Sequence, residues 1–171
     1  MNGLVSVASE NEMTGQFFFT AIAGLALSIA GFGALVATFR RDAAWSRTEI
    51  WRLRSIVRLG FVCMFLALAP LPLYYAVAGD EMLAIRLSSL LVVIAEVWEV
   101  RGAVGERHEW QSRDWVRRYI VVGASQVAFS LLNVAIGSVW LLMIGLLIRL
   151  SHPAQLFVRV LRDFQPPIAD E

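Results

Sequence analysis

An all-α fold, a polytopic bundle of transmembrane helices, is what this sequence predicts. Apolar residues make up 58% of its 171 residues and charged residues 17%, against roughly 45–50% and about 25% in soluble domains. The apolar residues fall in runs near the ~20 that a helix needs to cross a hydrocarbon core of about 30 Å. The charges are segregated: apart from Arg86, the basic residues form three blocks between the apolar runs. Mean hydropathy of +0.64 agrees with these signs.

Five spans are expected, with four as the alternative, at approximately 17–39, 60–79, 82–100, 119–135 and 139–161. Residues 17–162 then form a single transmembrane helical domain. Residues 1–16 are a polar N-terminal tail without the positive n-region of a signal peptide, so the first apolar run is expected to stay in the mature protein. Residues 163–171, ending QPPIADE, are expected to be a disordered C-terminal tail.

The first run, Phe17 to Phe39, would extend about 35 Å as a helix. Six arginines follow between Arg40 and Arg58, against only Asp42 and Glu49. Ser46 and Glu49 are spaced as a capping box. Ile50, Leu53 and Val57 follow at helical spacing, so an amphipathic interfacial segment is expected between spans 1 and 2. A plain juxtamembrane helix end is the simpler alternative. In the second run Pro70 and Pro72 each lack a backbone donor, which predicts a kink near its far end. Tyr74 and Tyr75 suit the interface there.

The third run, Met82 to Val100, is the poorest, because Arg86, Glu96 and Glu99 interrupt it. Arg86 lies one turn inside and is expected to snorkel to the headgroups. Glu99, at the inner edge, is expected to be hydrated, with Glu96 about a turn deeper. A second basic segment covers Arg101 to Arg118. The run from Tyr119 to Ile148 would be about 45 Å as one helix, too long for one span. A turn is therefore expected near Asn133 to Ser138. The last span then contains Arg149, His152 and Pro153, with an irregularity expected at the last two.

Charge placement sets the expected orientation. Flanks rich in Arg and Lys stay in the cytoplasm. With five spans the N-terminus is outside, and both Arg-rich loops, together with Arg159 and Arg162, are cytoplasmic. Trp45, Trp51, Trp98, Trp110 and Trp115 lie near that inner boundary and Trp140 near the outer one. All 15 basic residues are Arg, a bias of GC-rich codon usage that points to a bacterial inner membrane.

Several chemistries lack their residues. Without lysine there is no Schiff base and no P-loop cation. The single Cys63 excludes an intramolecular disulfide and reads as a small hydrophobe. HEWQS at 108–112 lacks the second His of a zinc-protease helix, and Glu96 with Glu99 lacks the further ligands of a di-metal centre. No catalytic residue, metal or cofactor is expected, and the chain is not expected to be an enzyme.

Tyr119, Gly123, Gln126, Ser130, Asn133 and Gly137 recur at steps of three and four, one stripe on a helix. That stripe should turn away from lipid. Helix packing is its first reading and a solvated path its second. Arg149 needs a partner in the membrane. Glu96 is the expected one, with Gln126 or Asn133 completing the network. The candidate intramembrane cluster is thus Glu96, Gln126, Ser130, Asn133 and Arg149. Gly24, Ser28 and Gly31 make a small-residue face suited to another span or another copy of the chain.

At the inner face Arg40, Arg41, Arg52, Arg54, Arg58, Arg117 and Arg118, with Trp45 and Trp51, are expected to contact anionic lipid headgroups. Nucleic acid is not expected, because the arginines adjoin spans and mix with acids. In layout the sequence resembles small multi-span inner-membrane proteins of bacteria, with RLRSIVRLGF before the second span and PAQLFVRVL near the end. Neither stretch is a functional motif, so the resemblance implies no residue's role. The expected role is a structural or interaction protein, an accessory subunit of a membrane assembly, as a homo-oligomer or beside a partner membrane protein. The alternative is a small oligomeric channel or transporter lined by Gln126, Ser130, Asn133 and Glu96.

Overall fold

A computed structural model describes residues 12–39, 46–105 and 113–163. The rest of both tails and of the two basic loops lies outside the described residues. Six helices follow in order: α1 Gln16–Phe39, α2 Arg47–Leu68, α3 Pro70–Ala76, α4 Glu81–Gly105, α5 Arg113–Ile136 and α6 Val139–Asp163. No strand occurs among the described residues.

Each boundary has a local cause. Ser46 opens α2 with the capping box: its Oγ accepts from the Glu49 amide at 3.2 Å, and the Glu49 carboxylate accepts from the Ser46 amide at 2.8 Å. Proline ends α2: Pro70 has no N–H to continue the ladder and becomes the first residue of α3. Ala78 and Gly79 then turn the chain with positive φ, and Asp80 caps α4 through the Leu83 amide at 3.0 Å. Between α5 and α6 the chain reverses in two residues. Gly137 sits at φ 75, and Asn133 Oδ1 accepts from the Ser138 amide at 2.9 Å.

Three expectations are corrected. The amphipathic segment between the first two spans is not a separate element. It forms the first turns of α2, which runs unbroken to Leu68 because nothing interrupts its ladder. Leu53 and Ile56 there are buried against Val160 of α6 rather than lying on a surface. The irregularity near His152 and Pro153 is not a break either, since α6 is helical through both. Pro153 withholds the amide that would bond the Arg149 carbonyl, yet its buried ring packs into the bundle. Within the polar N-terminal tail, Met13 is not polar tail at all: it is 3% exposed and joins the core beside Phe19 and Met143.

The five long helices alternate in direction, and α6 is central, touching α1, α2, α4 and α5. α1 buries Phe19, Ile22, Ala23, Ala26 and Ala30 at steps of three and four. Gly60 of α2 meets that face, where an added Cβ would sit 2.9 Å from the Ala26 carbonyl oxygen. Large apolar side chains such as Phe32, Ile94, Leu132 and Leu147 point outward, whereas Glu96, Glu99, Gln126, Asn133 and Arg149 are buried. An apolar exterior around a polar core is the arrangement that lipid requires. α1, α2 with α3, α5 and α6 are each long and apolar enough to cross a membrane. α4, at 25 residues, is as long but carries Arg86, Glu96 and Glu99.

Replacing Gly60 by Leu should force α1 and α2 apart and cost about 1–3 kcal/mol, a typical overpacking loss. Gly102→Ala, into open space, should be close to neutral. Denaturation followed by circular dichroism in detergent micelles measures both.

Candidate functional site: a buried ion cluster

Arg149 lies ten residues into α6, about 15 Å from its start. It is 2% exposed. Its Nη1 contacts Glu96 Oε1, and its Nη2 donates to Glu99 Oε1 at 2.6 Å. One guanidinium therefore bridges two carboxylates three residues apart on α4, a spacing that puts both on one helical face. The expected hydration of Glu99 is corrected: it is 3% exposed and belongs to the cluster. The ExxE spacing was the signal for it, since a partner reaching Glu96 reaches Glu99 as well.

The neighbours complete the enclosure. Cys63 of α2 lies within the field of all three charges. Gly123 brings α5 close: a Cβ there would lie 2.6 Å from Val100 and 4.0 Å from Glu96 Oε2. Arg149 Nε is buried with no acceptor among the protein atoms. Burying charges in a low dielectric carries a penalty of several kcal/mol per ion, offset only by close pairing. Here the contacting groups sum to two negative charges and one positive.

The remaining polar residues are placed elsewhere. Gln126 donates to the Gly145 carbonyl at 3.0 Å and ties α5 to α6. Asn133 donates to Ser89 Oγ at 2.9 Å, tying α5 to α4, while its carbonyl oxygen closes the turn to α6. Ser130 is buried between them in sequence. The structure thus unites Glu96 with Arg149 and directs Gln126 and Asn133 to helix contacts instead of the ion pair. Arg86 Nη2 donates to the Ala135 carbonyl at 2.9 Å. There a cation suits the carbonyl-rich end of α5.

At the basic end of the bundle Arg54 and Arg117 are exposed, and Trp51, Arg52 and Arg58 are half-buried. Arg40, Arg41, Trp45 and the Arg118 side chain lie outside the described residues. A cavity of about 50 Å³ opens there, lined by Ser55, Arg58, Ala103, Tyr119 and His152 among others. The Tyr119 and His152 rings face each other across 6.1 Å. Compared with protein families, with curated proteins and with solved structures, the chain has no significant match.

Arg149→Met should leave two unpaired buried carboxylates and cost roughly 3–5 kcal/mol. Replacing Glu96 and Glu99 by Leu in the same chain should recover most of that loss, because no buried charge then remains. Equilibrium unfolding of the single and triple variants in one detergent tests it, and a triple variant no more stable than the single would contradict the assignment.

Proposed function

We propose that this protein is a five-span interaction protein of a bacterial inner membrane, a non-catalytic accessory subunit that joins an assembly by helix packing. One observation carries the reading. Gly24, Ser28 and Gly31 of α1 are exposed, and a Cβ at Gly24 or Gly31 would meet nothing within 4 Å. The same helix packs into its own bundle through a different face, the one bearing Ala26 and Ala30. Small outward residues let a second backbone approach closely, the usual means by which membrane helices associate. The Ser28 and Thr20 hydroxyls bond their own helix, to Gly24 and Phe17 carbonyls at 2.8 and 2.9 Å. The face is therefore smooth, with its hydroxyls already bonded.

Counting α4 as the fifth span rests on its two sides. Arg86, Glu96 and Glu99 face α5 and α6, and its outward residues include Leu90, Leu91, Ile94 and Trp98. On this topology the N-terminus is outside. The Arg-rich ends of α2, α5 and α6 are cytoplasmic, against anionic headgroups. The interaction reading is favoured over an oligomeric channel because Gln126 and Asn133, the expected lining, are engaged between helices.

A cysteine at Ser28 should give a cross-linked species in native membranes, either a dimer of this chain or a conjugate with a partner helix. Gly24→Ile with Gly31→Ile should abolish that species without lowering the yield of folded protein. Cross-linking that survives both substitutions would remove α1 as the contact. Flux through reconstituted liposomes that Asn133→Leu abolishes would favour the channel.

A further inference from the structure

The cluster and the cavity are aligned along the bundle axis. On each of four helices, a residue lining the cavity stands one turn from a residue at the cluster. Leu59 precedes Cys63 on α2, and Ala103 follows Glu99 on α4. Tyr119 precedes Gly123 on α5, and His152 follows Arg149 on α6. The cavity therefore sits about one helical pitch, ~5.4 Å, below the ion cluster on the basic side. Its volume, about 50 Å³, is enough for a few waters at ~10–15 Å³ each.

Two properties of the cluster call for a further species. Its contacting groups carry a net negative charge in a place sealed to 2–3% exposure. Arg149 Nε–H is a buried donor with no acceptor among the described residues, and such groups are as a rule satisfied by water. We infer that the Glu96–Arg149–Glu99 cluster is a proton-binding site, in which the two carboxylates share one exchangeable proton that enters and leaves through the cavity at the basic end. Uptake transfers a proton, delivered from the aqueous side as hydronium, to a carboxylate oxygen, leaving a neutral water in the cavity and bringing the cluster from one net negative charge to neutrality. Release returns the proton to that water. One cation balances only one of two carboxylates, and two like charges gathered on one buried guanidinium disfavour double ionisation.

The groups facing Glu96 and Glu99 are few. Arg149 comes from α6, Tyr119 from α5, and Cys63 and Arg58 from α2, while His152 of α6 faces Arg149. Arg58 is the second cation whose field reaches Glu99, from the cavity wall. Tyr119 and His152, which line the cavity one turn from the cluster, are polar side chains along which water would reach it.

Infrared difference spectroscopy on the whole protein in vesicles of phosphatidylethanolamine and phosphatidylglycerol tests this. At neutral pH the wild type should show a protonated-carboxyl band that shifts on transfer to deuterium oxide. Glu96→Gln and Glu99→Gln should each abolish it, because a single carboxylate is balanced by Arg149. Ala103→Leu, which fills the cavity, should keep the band and slow its deuterium exchange several-fold. Absence of the band in the wild type from mildly acidic to neutral pH overturns the inference. A band that persists in both Gln variants does so too. Displacement of the band by sodium at constant pH would assign the site to a metal cation instead. Should a Gln variant fail to insert, the wild-type band and its indifference to sodium still decide.

Discussion

One guanidinium, buried on the central helix and shared by two carboxylates of its neighbour, constrains the rest of this bundle. Arg149 cannot face lipid and cannot stand alone, so α6 must turn that side inward and α4 must supply acid at that depth. α6 touches every other long helix, and fixing its rotation fixes which faces of the others are inside. Gly123 follows from the same demand: only a missing side chain lets α5 approach α4 beside the cluster. Hydrophobic burial cannot set this register in a bilayer, where the solvent is as apolar as the side chains. Polar contacts and close backbone packing set it instead.

The turn between α5 and α6 is the second fixed point. Asn133 acts there twice, bonding Ser89 of α4 and closing the reversal onto Ser138. Arg86 adds a third strand of the same clamp by capping the end of α5 at Ala135. α4 is thereby joined to α5 at the end opposite the basic loops, and to α6 through the ion cluster deeper in. α4 is thus held in the bundle by its charged residues.

Much of this was legible from residue types and spacing. The helical class, the turn after Asn133, the break at Pro70 and the capping box at Ser46 are local signals, and each is found where its chemistry puts it. The inward stripe on α5 was legible because its period is that of a helix: Gln126, Ser130 and Asn133 are all buried. What the stripe bonds to was not legible. Gln126 meets a backbone carbonyl made accessible by Gly145, and no sequence pattern records which carbonyl a neighbouring helix presents. The burial of Glu99 is hidden for a related reason: its place near the helix end suggests water, while the face it shares with Glu96 sets its true surroundings. Nor does a local pattern show the acceptor of Arg86, a carbonyl 49 residues further along the chain.

The glycines separate what this chain does for itself from what it does for others. A helical glycine costs about 0.8–1.0 kcal/mol relative to alanine, so each needs a reason. Gly33 meets Ile56, Gly60 meets Ala26 and Ala30, Gly123 meets Val100 and Gly145 meets Gln126 and Phe129. All four are explained by close approach within the bundle. Gly102 and Gly105 meet nothing, but they lie in the last turns of α4, where the helix is ending. Gly24 and Gly31 also meet nothing, and they lie well inside α1, beside an exposed serine. No contact among the described residues offsets their cost. A second helix seated on that face would do so by the same close approach that explains the other four, as the proposed interaction role requires.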